Sequence, residues 1–189
     1  IDNLGNEATI AGFSTALKVN GFATSCLVTV CAAMAAYTAQ NVGAKQTLRV
    51  KQGFTAGVKM LYMLILPIAA AFCLGAPFFI KLFLNTDNTA IIEEAVSAGS
   101  TFLRIAAPFY LVIAVKIACD GILRGYGAMK YFTASTIADL FFRVALCYLL
   151  TALGMGIYAI PTAWIVGWTI ASAMAAVFYK MRVWEKKRI

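Results

Sequence analysis

The sequence holds two rows of chemically active side chains at helical spacing. One is Ser135, Asp139 and Arg143; the other is Lys116, Asp120 and Arg124. Each row runs i, i+4, i+8, so on a helix its members share one face. An acid four residues from a base can form an intrahelical ion pair. It can also bind and release a proton or a cation where water reaches it. Both rows sit in apolar surroundings, where an ionisable group costs roughly 2.5–3.5 kcal/mol on insertion scales and turns towards a bundle interior or a water cavity. Asp139 falls near the middle of its apolar stretch. For Asp139 and Arg143 two readings stand side by side: a helix-joining ion pair, and a proton- or cation-sensitive site in a cavity. For Lys116, Asp120 and Arg124 the expectation is a structural or gating ion network. They lie near the end of their stretch, from which long side chains can reach water. Arg104 is expected to reach the opposite interface.

Other chemistry is thin. There are no histidines, which removes His-based triads and most zinc sites. The five cysteines, Cys26, Cys31, Cys73, Cys119 and Cys147, lie in apolar runs without a C-x-x-C pair and are read as packing residues. The NVGAK run lacks the spacing of a phosphate-binding loop. No nucleophile–base or paired-carboxylate site is evident. No enzyme activity, metal or cofactor is expected.

The elements that position these rows are membrane helices. Of 189 residues, 62% are hydrophobic and only 13% charged, with a mean hydropathy of +0.82. Soluble domains carry about 25% charged residues. A span needs about 20 mainly apolar residues. Five stretches qualify, near 10–42, 54–83, 95–121, 129–153 and 157–181. The runs are too long for strands and do not alternate, so the fold class is all-α membrane protein. Pro67 and Pro108 are expected to kink their helices. Gly53-x-x-x-Gly57 and Gly121-x-x-x-Gly125 allow close helix contact. Trp164 and Trp168, one turn apart, read as a packing or lipid stripe.

The net charge of +8 and pI near 9.4 do not call for nucleic acid, because the basic residues follow the spans. Lys45, Arg49, Lys51 and Lys59 follow the first stretch, Arg124 and Lys130 the third, and Lys180, Arg182, Lys186, Lys187 and Arg188 the fifth. The other ends hold Lys18 and Lys81 with the acids Asp2, Glu7, Asp87, Glu93 and Glu94. The positive-inside rule then puts the start of the chain outside and its end in the cytoplasm, in a cell membrane. Tyr179 and Trp184 fit interfacial anchors. An outside start at Ile1, with no signal peptide, leads us to expect an odd number of earlier spans in a longer protein.

Two runs add specificity: AAMAAYTAQNVGAKQTLRVKQG at 32–53 and CDGILRGYGAMKYFTASTIADLFFRVALCYLL at 119–150. The first contains Gln40, Asn41, Gly43 and Ala44 ahead of basic residues and Gly53; the second contains Gly121-x-Leu123-Arg124-Gly125-x-Gly127. With the Tyr179-Lys180-x-Arg182-x-Trp184 tail, these resemble the multidrug and toxic compound extrusion (MATE) family. The resemblance implies a twelve-helix, two-lobe exporter, with this chain as helices eight to twelve of the second lobe. It also implies an organic-cation substrate, the bilayer and a first lobe of the same protein as partners, and coupling to H⁺ or Na⁺ entry by alternating access. Some members carry a carboxylate on the tenth helix eleven residues before the signature arginine; here that position is Ile113. The Asp139-x-x-x-Arg143 arrangement is similar to one in other members, which makes Ser135, Asp139 and Arg143 the candidates for coupling. Two competing classes remain: a flippase for lipid-linked oligosaccharides, expected if Arg143, Arg104 and Lys116 line one cavity, and a non-transporting membrane assembly protein.

Overall fold

A computed structural model describes residues 7–84 and 89–182. Asp2, Asp87, Trp184, Lys186, Lys187 and Arg188 lie outside them. The order is α1 (Glu7–Gly43), α2 (Thr47–Phe83), α3 (Thr89–Ala106), α4 (Tyr110–Gly125), α5 (Met129–Ala152) and α6 (Ala159–Lys180), with 3-10 turns at Ala107–Phe109 and Gly156–Tyr158. The described residues contain no strand. Five helical segments are long and apolar enough to cross a membrane, α3 and α4 counting as one. The third span divides where the sequence predicts a kink. Pro108 sits inside the 3-10 turn, because proline cannot donate to the helical ladder. Pro67 stays within an unbroken α2.

Two boundaries differ from the sequence reading. The second helix begins at Thr47, seven residues before the expected 54, so Arg49 and Lys51 are helical and not in a loop. The third span extends to Gly125, so Arg124 lies in the last turn of α4. In both cases the basic residues mark the end of an apolar run, whereas the helix extends past it. At the end of α4 it continues until its carbonyls are capped by the Gly127 and Ala128 N–H groups, and at the start of α2 it reaches back to the turn that closes α1.

The caps repeat. At the end of α1 the Lys45 N–H donates to Val42 O (3.0 Å) and the Gln46 N–H to Asn41 O (2.8 Å). At the end of α4 the Gly127 N–H donates to Arg124 O (2.9 Å) and the Ala128 N–H to Leu123 O (2.8 Å). This is the Schellman pattern, which needs a left-handed residue after the cap. Gly127 supplies it at φ 69°; Lys45 does so at φ 57° without glycine's freedom. Both signature runs therefore end a helix in the same way.

Within a bilayer, lipid is as apolar as leucine, so helices associate through close packing and hydrogen bonds more than through hydrophobic burial. The glycines show this. A Cβ on Gly121 or Gly125 would strike α1 at Met34, Ala35 or Thr38, and one on Gly53 or Gly57 would strike Tyr37 or Met34. Gly12 and Gly99 bring α1 against α3 in the same way; their spacing in the sequence does not single them out. An aromatic chain crosses the interior, with Phe13 against Phe102 (4.9 Å between centroids), Phe102 against Trp164 (5.8 Å), Trp164 against Trp168 (5.7 Å) and Trp168 against Tyr110 (5.8 Å). The two tryptophans thus belong to the packing.

Helices α1 to α4 and α6 form the packed body, and α4 is its centre. Its buried residues include Lys116, Asp120 and eight others. In α5, Ser135 is the buried residue. That helix lies mainly along α6 and touches α4 more sparingly.

Candidate functional site

Lys116, Asp120 and Arg124 sit where α4 meets α1 and α5. The Lys116 Nζ lies 2.5 Å from Asp120 Oδ2, and the two side chains are only 10% and 6% exposed. Despite the reach of lysine, neither group extends to water. Arg124 reaches α1, where its Nη1 is 3.9 Å from Cys31 Sγ. Phe132 of α5 covers the cluster: its ring centre is 6.0 Å from Lys116 Nζ and 5.5 Å from the Arg124 guanidinium carbon. Ser135 lies beside the Asp120 carboxylate, and its hydroxyl donates to Phe132 O (2.9 Å). The structure therefore places Ser135 with the α4 cluster at one end of its row. The other two members of that row face elsewhere. The geometry is that of an enclosed ion pair, with a second cation reaching to α1.

Asp139 and Arg143 lie farther along α5, where it packs on α6. Arg143 Nη2 donates to Asp139 Oδ2 in an i, i+4 ion pair. The guanidinium stands 4.6 Å from the centre of the Trp164 ring, a cation–π contact. Gly167 makes room for the pair: a Cβ there would lie 2.8 Å from Asp139 Oδ1 and 3.2 Å from Asp139 O. The side chains are 15% exposed for Asp139 and 23% for Arg143. Asp139 Oδ1 and Arg143 Nε have no hydrogen-bond partner among the described residues. This pair is half-shielded by α6; its unpartnered carboxylate oxygen has a counterpart in Asp120 Oδ1 of the α4 pair. Its carboxylate faces the α5–α6 seam, whereas the sequence reading aimed it at a central cavity. Gly167 and Trp164 complete the site. Nothing in the charge pattern of α5 names them, but Gly167 stands out as a glycine inside an apolar helix.

The first signature run is structural in this geometry. The buried Asn41 donates from Nδ2 to Tyr37 O (2.8 Å), and the Ala44 N–H donates to Gln40 O (3.0 Å). Gly43 is the last residue of α1, and Gln40 is exposed. Together they close α1 and turn the chain into α2. A further polar contact, absent from the sequence candidates, fixes the middle of the body. The Tyr110 hydroxyl donates to Asn20 Oδ1 at 2.6 Å, in a buried position between α4 and α1. The polar Asn20 in an otherwise apolar run is the signal that would have found it.

The MatE family model matches residues 2–149. The chain belongs to the MatE family. Two solved structures share its fold. One is described as the inward-facing conformation of a multidrug resistance MATE family transporter of the MOP superfamily. It has 17% identity, a TM-score of 0.80, and coverage of 96% of this chain and 43% of that one. The other is a MATE crystal structure in the bent conformation, with 20% identity, a TM-score of 0.83, and coverage of 97% and 40%. The MatE chain thus spans about two fifths of each structure it matches. No match was found among curated proteins. The likeness shows a MATE-type all-helical membrane fold over nearly the whole chain.

Proposed function

We propose that this chain forms helices eight to twelve of a two-lobe, cation-coupled exporter, working by alternating access on small organic cations. The family match supports the transport class. The observation that carries the coupling site is the Asp139–Arg143 pair, which lies at a helix seam and is more accessible than the Lys116–Asp120 pair. In this reading Asp139 takes up H⁺ or Na⁺ in one access state, and Arg143 holds the carboxylate when the ion has left. An ion shifts the equilibrium only by binding the two states differently. A carboxylate that alternates between Arg143 and an ion meets that requirement. The enclosed Lys116–Asp120 pair, already neutralised and covered by Phe132, acts as a fixed joint between α4, α1 and α5.

Charge supports the membrane orientation. Lys45, Arg49, Lys51, Arg124, Lys130, Lys180 and Arg182 all lie at or near the same ends of successive helices, while Glu7, Lys81, Glu93 and Glu94 lie at the others. We assign the first set to the cytoplasm.

The flippase reading requires Arg143, Arg104 and Lys116 to share a cavity. Arg143 packs on Trp164, Lys116 is enclosed by Asp120 and Phe132, and Arg104 is exposed on α3. These are separate settings, and they favour drug export. The test is efflux of a fluorescent organic cation by the full-length protein and by its Asp139→Asn variant. Loss of ion-dependent efflux at normal expression is expected. Wild-type efflux with wild-type ion dependence would refute the coupling role. Residues 1–189 alone are expected not to transport, since they supply only one wall of the pathway.

A further inference from the structure

At the cytoplasmic end assigned above, a second polar feature stands apart from both ion pairs. The beginning of α2 and the end of α6 diverge around a pocket of about 260 Å³ lined by Lys51, Thr55, Tyr179, Lys180 and Arg182. Three of its five lining residues are cations, and none is an acid. Lys51 and Thr55 are one turn apart on α2 and present their side chains together. Tyr179 is held by its ring, stacked on Phe54 with 4.1 Å between centroids and 19° between planes. That stack ties α2 to α6 at the pocket's inner edge. Arg182 follows α6 in the left-handed region at φ 50°, with its N–H donating to Tyr179 O at 3.0 Å. Lys51, Lys180 and Arg182 are all exposed.

We propose that this pocket binds the phosphate headgroup of an anionic phospholipid from the cytoplasmic leaflet. The cations supply the charge, and the Thr55 hydroxyl, which donates to Lys51 O at 3.3 Å, and Tyr179 complete the polar lining. The setting selects a lipid over a soluble anion. The pocket lies where two spanning helices end, and the apolar Phe54 ring stacks on its Tyr179 wall. The sequence beyond it, VWEKKRI, adds Lys186, Lys187 and Arg188 against a single acid. Four or more basic residues directly after a span are the pattern that attracts anionic lipid. Because Phe54 and Tyr179 join α2 to α6 here, a bound headgroup would also clamp these two helix ends. The proposal rests on the cytoplasmic assignment of this end and not on transport.

Native mass spectrometry of the full-length protein tests it, with phosphatidylglycerol and phosphatidylcholine titrated separately. Retention of phosphatidylglycerol several-fold above phosphatidylcholine is expected. Lys51→Gln and Lys180→Gln should each weaken it about fivefold, from a contribution near 1 kcal/mol per basic residue. Lys81→Gln, at the far end of α2, should leave it unchanged. Equal retention of the two lipids, or an equal loss in Lys81→Gln, would overturn the proposal. So would competition by soluble glycerol phosphate at the lipid's own affinity, which would make the ligand a free anion. None of these readouts needs the protein to transport, so a failed coupling experiment leaves this one intact.

Discussion

Two ion pairs with the same spacing stand in opposite settings. Lys116–Asp120 lies in the most enclosed helix of the body, and Asp139–Arg143 in the least enclosed one. Over their most apolar windows, the segment containing α4 is 56% buried and α5 only 6%. Around Asp120 the surroundings come from three helices, with Phe132 as a lid. Around Asp139 they come mainly from α6. Each pair leaves one carboxylate oxygen without a hydrogen bond, Asp120 Oδ1 and Asp139 Oδ1, so it is the enclosure and not the unused oxygen that differs. The difference teaches that spacing makes a pair and packing decides its role. A pair closed on all sides is a joint. A pair shielded on one side can exchange its partner.

The comparison is easiest to break at α4. Removing the ammonium in Lys116→Met leaves the buried Asp120 carboxylate without its ion-pair partner, with Arg124 and Ser135 as its remaining polar neighbours, a change that costs about 3 kcal/mol. The melting temperature of the purified protein should fall further than in Gly167→Ala, Tyr110→Phe or Asp139→Asn. The double variant Lys116→Met with Asp120→Leu should recover most of the loss. A single variant as stable as wild type would mean that the pair is not a joint.

Gly167→Ala comes next. Its Cβ would press on Asp139 Oδ1 and on the α5 backbone, so α5 must move away from α6. Overpacking of this kind costs about 1–3 kcal/mol. Thermal melting should show that cost together with lost efflux, because the seam that shapes the Asp139 site has opened. An unchanged melting temperature would mean that the seam is looser than described.

Tyr110→Phe separates charge from neutral hydrogen bonding at α4. It removes the 2.6 Å bond to Asn20, with an expected loss of about 1 kcal/mol in a melting experiment. A loss as large as that of Lys116→Met would show that the body is not organised around its ion pair. The smallest effect on stability belongs to Asp139→Asn. The pair is partly accessible, and an amide still offers Arg143 an oxygen. Its melting temperature should fall by less than half as much as that of Lys116→Met.

Much of this architecture is legible in the sequence, for identifiable reasons. Apolar runs of membrane length give the spans, and Pro108 gives the break between α3 and α4. Gly121 and Gly125 mark a close approach because only a missing Cβ lets α4 meet α1 there. The charged rows are visible because i, i+4 spacing is a property of any helix. What a helix row does not reveal is which neighbour it faces. Ser135 reads with Asp139 and Arg143, yet Ser135 meets Asp120 of α4 while Arg143 meets Trp164 of α6. Depth is hidden for the same reason. Lys116 reads as a side chain able to reach water, and Phe132, contributed by the next helix, covers it. Gly167 is visible only as a glycine, since its use depends on a carboxylate from another helix.

The most direct measurement of the division between joint and switch compares two variants in the full-length protein. Efflux of an organic cation is followed as the pH and Na⁺ gradients are varied, in Asp139→Asn and in Asp120→Asn, each corrected for the amount of folded protein. The account predicts that Asp139→Asn loses the dependence on the driving ion while remaining folded. It predicts that Asp120→Asn lowers the amount of folded protein but leaves the ion dependence of the remainder unchanged. Ion dependence that survives in Asp139→Asn and disappears in Asp120→Asn would contradict it.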